Sequence, residues 1–77
     1  MKFTITRTSY LDNFDEYKEV LKKYNFVNES TKYEKSGTIE INTLEDLIKL
    51  SDETNQNLII GGDEEERYIE IYDDYRE

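Results

Sequence analysis

The 77-residue chain contains no cysteine and no histidine. Without cysteine, neither disulfides nor thiolate metal sites can staple the fold, and the composition fits a reducing cytoplasm. Without either residue, the usual triads of nucleophilic catalysis cannot be built. No stretch approaches the roughly 18 apolar residues that a membrane helix needs. The opening MKFTITRTSY holds no apolar run that would serve as a signal peptide. A soluble, cytoplasmic protein without a membrane partner is expected. Linkers rich in Pro, Gly or Ser and internal repeats are also missing, so residues 1–77 read as one domain. A chain this short buries only about 60–65% of the surface its unfolded form exposes, which disfavours a deep enclosed active site.

Positive charge is scarce in the second half. Residues 1–38 carry seven Lys or Arg against six Asp or Glu, whereas residues 39–77 carry three against thirteen. The net charge of −9 therefore comes from the C-terminal half. A field of that sign repels nucleic acid and anionic membranes and steers cationic surfaces inward. Direct nucleic-acid binding is disfavoured and a cationic partner favoured. The hydrophobic share is 35% and the charged share 38%, a balance that leans towards disorder, but ten aromatics and clear periodicities argue for an ordered fold.

Residues 2–9 alternate, with Phe3 and Ile5 on one side and Thr4 and Thr6 on the other, as a half-buried strand does. Asp12 or Asn13 then caps a helix whose Phe14, Tyr17, Val20, Leu21 and Tyr24 share one face, with Asn25 as its stop. Residues 26–35 show no steady period, although Lys35-Ser36-Gly37 suits a hairpin turn between residues 30–34 and 38–41. A capping box, Asn42 with Glu45 or Thr43 with Asp46, opens a second helix. Leu44, Leu47, Ile48 and Leu50 would form its inner stripe, and it should fray or end within the polar residues 51–57. Leu58-Ile59-Ile60 reads as a strand, Gly61-Gly62 as a turn and residues 68–72 as an alternating strand at a sheet edge. The order β-α-β-α-β-β, with an extra short strand allowed before Gly37, predicts an α+β two-layer sandwich. Two helices would lie on a small, mostly antiparallel sheet over Phe3, Ile5, Ile39, Ile41, Ile69 and Ile71. Strand order is left open.

Carboxylates are the chemically active groups in supply, and the run GGDEEERYIEIYDDYRE concentrates them. Acid-base catalysis needs one of them buried with a raised pKa, whereas Asp63, Glu64, Glu65, Glu66, Asp73 and Asp74 fall in predicted loop and tail. The run also lacks the spaced D-x-[DN]-x-[DN]-G pattern of a calcium loop. No catalytic, cofactor or metal site is therefore expected, and the chain reads as a non-enzyme. On a strand, side chains two apart share a face about 6–7 Å from each other, so Glu70 and Asp74 join Tyr68 and Tyr72 in a row of alternating charge and aromatic. Tyrosine is enriched where proteins meet partners.

The segments KFTITRTS, IEINTLEDLIKL, LIIGG and IEIYDDYRE resemble a group of small, acidic, mostly uncharacterised proteins encoded by phages and prophages of Firmicutes. That company includes anti-CRISPR inhibitors, which occupy nucleic-acid-binding surfaces of CRISPR nucleases. The resemblance implies an inhibitor of a host defence nuclease acting as a nucleic-acid mimic. Its partner-binding set would be Asp63, Glu64, Glu65, Glu66, Glu70, Tyr72, Asp73 and Asp74. The alternative is a structural or regulatory domain that pairs through an exposed sheet edge, with itself as a homodimer or with another chain.

Overall fold

The computed structural model describes residues 1–9 and 12–72. Its elements run β1 (Lys2–Arg7), a 3₁₀ turn (Asp15–Tyr17), α1 (Lys18–Lys22), β2 (Val27–Asn28), β3 (Gly37–Glu40), α2 (Leu44–Thr54), β4 (Asn57–Gly62) and β5 (Arg67–Tyr72). The five strands form one sheet in the order β2-β3-β1-β5-β4. Three neighbouring pairs are antiparallel, and the β1–β5 pair is parallel. This is the α+β class expected, with both helices against one sheet face and a mixed rather than purely antiparallel ladder.

Alternation decides which face is covered. Phe3 and Ile5 of β1, Ile39 of β3 and Ile69 and Ile71 of β5 are buried, while Thr4, Thr38, Tyr68 and Glu70 between them point away from the core. Phe14, Tyr17, Leu21, Tyr24 and Leu50 close the core from the helical side. Each fully buried Ile or Leu contributes roughly 1.5–3 kcal/mol relative to an exposed one.

The first helical segment is shorter than its periodicity predicts. The Tyr17 N–H bonds to the Phe14 carbonyl three residues back, so the entry is a 3₁₀ turn, and α1 proper has only five residues. The cause lies in β1. Arg7 points into the core face and is 7% exposed. Its Nη1 donates to the Asn13 carbonyl at 2.6 Å, its Nη2 meets Glu16 at 2.6 Å, and its guanidinium lies 4.9 Å from the Tyr17 ring centre. Those contacts tie the helix entry down before regular α geometry begins. Asn25 ends the segment with a left-handed φ of 57°.

The two helices are clamped at the end of this segment. Lys23 Nζ donates to Glu53, and the Tyr24 hydroxyl donates to the other Glu53 oxygen at 3.3 Å. The hydrogen bond from Lys23 holds the Glu53 carboxyl below its usual range. Burial first, and then the Glu53 charge, pushes the Tyr24 hydroxyl up to about 12.

Two further sequence expectations need correction. The hairpin partner of β3 is Val27–Asn28, not residues 30–34, because Ser30 and Thr31 instead close an irregular loop onto Ser36 and Glu34. Helix α2 ends at Thr54, inside the polar stretch 51–57 where its stripe is lost. The Thr54 hydroxyl is buried and donates to the Leu50 carbonyl at 2.8 Å, which supplies a polar residue with the partner it needs inside. The second correction concerns the inner stripe: α2 buries Leu50 and partly Leu47, whereas Leu44 and Ile48 are 72% and 54% exposed. The start of α2 does follow the capping box Thr43 with Asp46: the Asp46 N–H bonds to Thr43 Oγ1 at 3.1 Å, and the Asp46 carboxylate accepts from the Asn42 N–H.

Candidate functional site

Two surfaces stand out, and both belong to the β4–β5 hairpin. Strand β4 does not stop at Ile60. It continues through Gly61 and Gly62, in register with Tyr68 and Arg67, and the turn falls on residues 63–66 instead of on the glycines. Gly62 has a φ of +101°, and a Cβ there would meet Arg67 Cα at 2.9 Å, so this position turns the strand into the loop and has no room for a side chain. Gly61 serves a different purpose. The Tyr68 ring lies across it, with Cε2 only 2.8 Å from where a Cβ would stand.

The turn is closed by Asp63. Its Oδ1 accepts from the N–H groups of Glu65 and Glu66 at 2.8 and 2.9 Å, and its own N–H bonds to the Glu66 carbonyl at 2.7 Å. Those backbone donors, Glu66 first, hold the carboxyl below its ordinary value of 3.8. The stability this group supplies is therefore present above pH 3.8 and is lost as pH falls through the lower folded value. Substituting Asp63→Ala should lower the thermal midpoint at pH 7, with a smaller gap from the wild type at pH 2.5 as its carboxylate protonates. An equal gap at both pH values would remove the charge from that account.

Glu64, Glu65 and Glu66 are exposed around this turn. Along β5, Tyr68, Glu70 and Tyr72 share the face away from the helices at two-residue spacing, and the turn that carries Glu66 leads into them. The alternating row is thus one stripe with an acidic cluster at its end. Across the ladder, Glu70 stands beside Thr6 of β1 and Ile59 of β4, and Tyr68 beside Thr4 and Gly61, so uncharged neighbours flank the stripe. The Thr8 hydroxyl reaches Glu70 Oε2 at 3.5 Å. Asp73 and Asp74 lie outside the described residues. A cleft of about 450 Å³ runs beside the stripe, lined by Lys2, Phe3, Thr4, Thr38, Glu65, Glu66, Arg67 and Tyr68. It is open, with a lining of mixed polarity.

The edge assignment needs correcting. Strand β5 lies between β1 and β4, and β4 is the outermost strand on that side. Parallel pairing with β1 draws β5 inward, because Ile69 and Ile71 are both fully buried and need neighbours on either side. Sequence reasoning missed β4 as a surface. The signal was present: Asn57–Gly62 is uncharged within a half-chain that has thirteen carboxylates. Ile59 and Ile60 are 42% and 50% exposed there.

Among the described residues, no three carboxylates converge to hold a metal, and no helix is long and apolar enough to cross a membrane. The fold and its surfaces thus define a small α+β domain whose sheet is covered on one face and open on the other. Comparison with known protein families, curated proteins and solved structures finds no match.

Proposed function

We propose that this protein is a non-enzymatic binder whose acidic stripe occupies a cationic surface of another protein. The observation that carries the reading is the alignment of Tyr68, Glu70 and Tyr72 on the uncovered face, with the exposed Glu64, Glu65 and Glu66 in the turn before it. Carboxylates accept the paired N–H groups of arginine as phosphates do, and the interleaved rings add apolar area. A row of this kind fits a groove that normally holds a nucleic-acid backbone. The resemblance to phage proteins makes a CRISPR or other host defence nuclease the first partner to test, with the chain acting as an anti-CRISPR-like inhibitor. Asp63 supports the tip by closing the turn, and Asp73 and Asp74 extend the set.

Binding of a purified CRISPR nuclease should weaken as salt rises, because the contacts are charge pairs exposed to counterions. The combined substitution E64Q/E65Q/E66Q/E70Q should weaken it further. At about 0.5 kcal/mol for each rim carboxylate, the four together give roughly 2 kcal/mol, or about a 30-fold loss. Affinity indifferent to both salt and the four amides would sink the mimic reading.

A second reading is favoured by one observation. Among the described residues nothing pairs with the outer edge of β4, and its exposed Ile59 and Ile60 invite strand addition. On that reading the protein is a structural or regulatory interaction domain.

A further inference from the structure

Natural edge strands are commonly blunted by lysine, proline or a bulge. β4 has none of these. Its six residues NLIIGG are uncharged and stay in unbroken register with β5 from Asn57 to Gly62. The bond from the Asp63 N–H to the Glu66 carbonyl fixes the phase of the ladder, since hydrogen-bonded and non-bonded pairs alternate. Odd-numbered residues of β4 therefore bond to β5. Leu58, Ile60 and Gly62 turn their N–H and C=O groups outward.

Apolar side chains flank this edge on both faces. On the helical side a groove of about 280 Å³ lies between α2 and β4, lined chiefly by Leu44, Leu47, Ile48, Leu58 and Ile60. Leu44, Ile48 and Ile60 are each at least half exposed. On the open side Ile59 is 42% exposed.

We infer that β4 pairs antiparallel with β4 of a second copy about a two-fold axis perpendicular to the sheet, giving one continuous ten-stranded sheet. This rests on the edge-pairing reading and names its occupant. Charge placement selects the copy and its direction. The strand brings no charge to the seam, so self-pairing sets no like charges against each other there. Antiparallel alignment sends the two acidic turns to opposite ends, each beside the uncharged Asn55-Gln56-Asn57 of the other chain. A parallel pair would stack them. The two-fold also matches outward groups to outward groups, with Ile60 opposite Ile60 and Leu58 opposite Gly62 of the second copy. Both α2–β4 grooves then lie on the same side of the sheet and close against each other. A basic peptide is the rival occupant, but the strand and groove offer it no carboxylate. The assembly would also present two acidic stripes on one face, so a partner with two cationic patches would be held bivalently.

Sedimentation velocity of the full chain at low and high salt tests this, together with amide exchange by NMR. The expected result is a dimer that tightens with salt, because screening relieves repulsion between two chains of charge −9. That trend is opposite to the one expected for the acidic stripe. In the dimer the Leu58, Ile60 and Gly62 amides should exchange slowly. Ile60→Lys places two ammonium groups at the axis and should weaken the dimer by at least about 100-fold with unchanged circular dichroism. Should that variant misfold, Ile59→Lys on the open face provides the second test. A folded chain that stays monomeric at every concentration and salt overturns the inference, as does a dimer that survives either lysine variant. A monomer that still binds a nuclease through its acidic stripe overturns the dimer alone. A monomer whose three outward amides become protected only when another protein is added overturns self-pairing and leaves the edge-pairing reading standing.

Discussion

Replacing Arg7 by alanine is expected to lower the thermal midpoint by about 15 °C, the loss of roughly 3 kcal/mol in a domain of this size. Arg7 occupies the position after Phe3 and Ile5 on the core face of β1, and its side chain is 7% exposed. The apolar stem accounts for about 2 kcal/mol of burial at roughly 0.8 kcal/mol per methylene. The charged head adds hydrogen bonds to the Asn13 carbonyl and Glu16, with Asp12 at 4.0 Å. Glu16 and Asp12 are themselves more than half exposed, so truncation returns them to water and recovers part of that loss. Arg7→Met keeps the stem and should cost about 1 kcal/mol. Thermal melts of the three proteins decide the matter. A shift under about 5 °C for the alanine variant would overturn the contribution of the buried stem as well as that of the head, whereas no shift for the methionine variant would mean that the guanidinium network contributes little beyond its own desolvation.

Gly62→Ala is expected to cost about 2–3 kcal/mol, a fall of roughly 10–20 °C. At φ +101° an L side chain is strained whatever the space, and the Cβ would also meet backbone atoms of Glu66 and Arg67, which cannot swing aside. Gly61→Ala makes the contrast. The atoms it meets belong to the Tyr68 ring, a side chain that can move, so about 1 kcal/mol or less is expected. Equal destabilisation by the two alanines, measured in urea, would overturn the assignment of separate roles. Because Gly62 joins β4 to the acidic turn, on the proposed reading its variant should also weaken binding to a cationic partner, whereas Arg7→Met should leave that binding unchanged.

Much of the fold was legible because it depends on local rules. Phe3, Ile5, Ile39, Ile41, Ile69 and Ile71 are all buried, as strand alternation requires, and Thr43 with Asp46 opens α2 as a capping box does. The failures share a cause. Leu44 and Ile48 fit a helical stripe by spacing, yet they hang over the edge of the sheet because α2 settles with Leu47, Leu50 and Thr54 inward. The turn moved from Gly61-Gly62 to residues 63–66 because Asp63 supplies a carboxylate that closes it and Tyr68 needs Gly61 inside the strand. Arg7 was invisible as a core residue, since charge alone predicts exposure and its partners Asn13, Glu16 and Tyr17 come from the next element.

Alternation and charge, both written in neighbouring residues, by themselves determined that β5 carries an apolar face and a face of Tyr68, Glu70 and Tyr72, and that the C-terminal half is acidic. Only the tertiary structure decided which strand lies outermost. The parallel pairing of β1 with β5 buries Ile69 and Ile71 on the interior of the sheet and leaves β4 at its edge. Strand order is a contest between distant segments for the same hydrogen-bonding neighbours. No local pattern records its outcome.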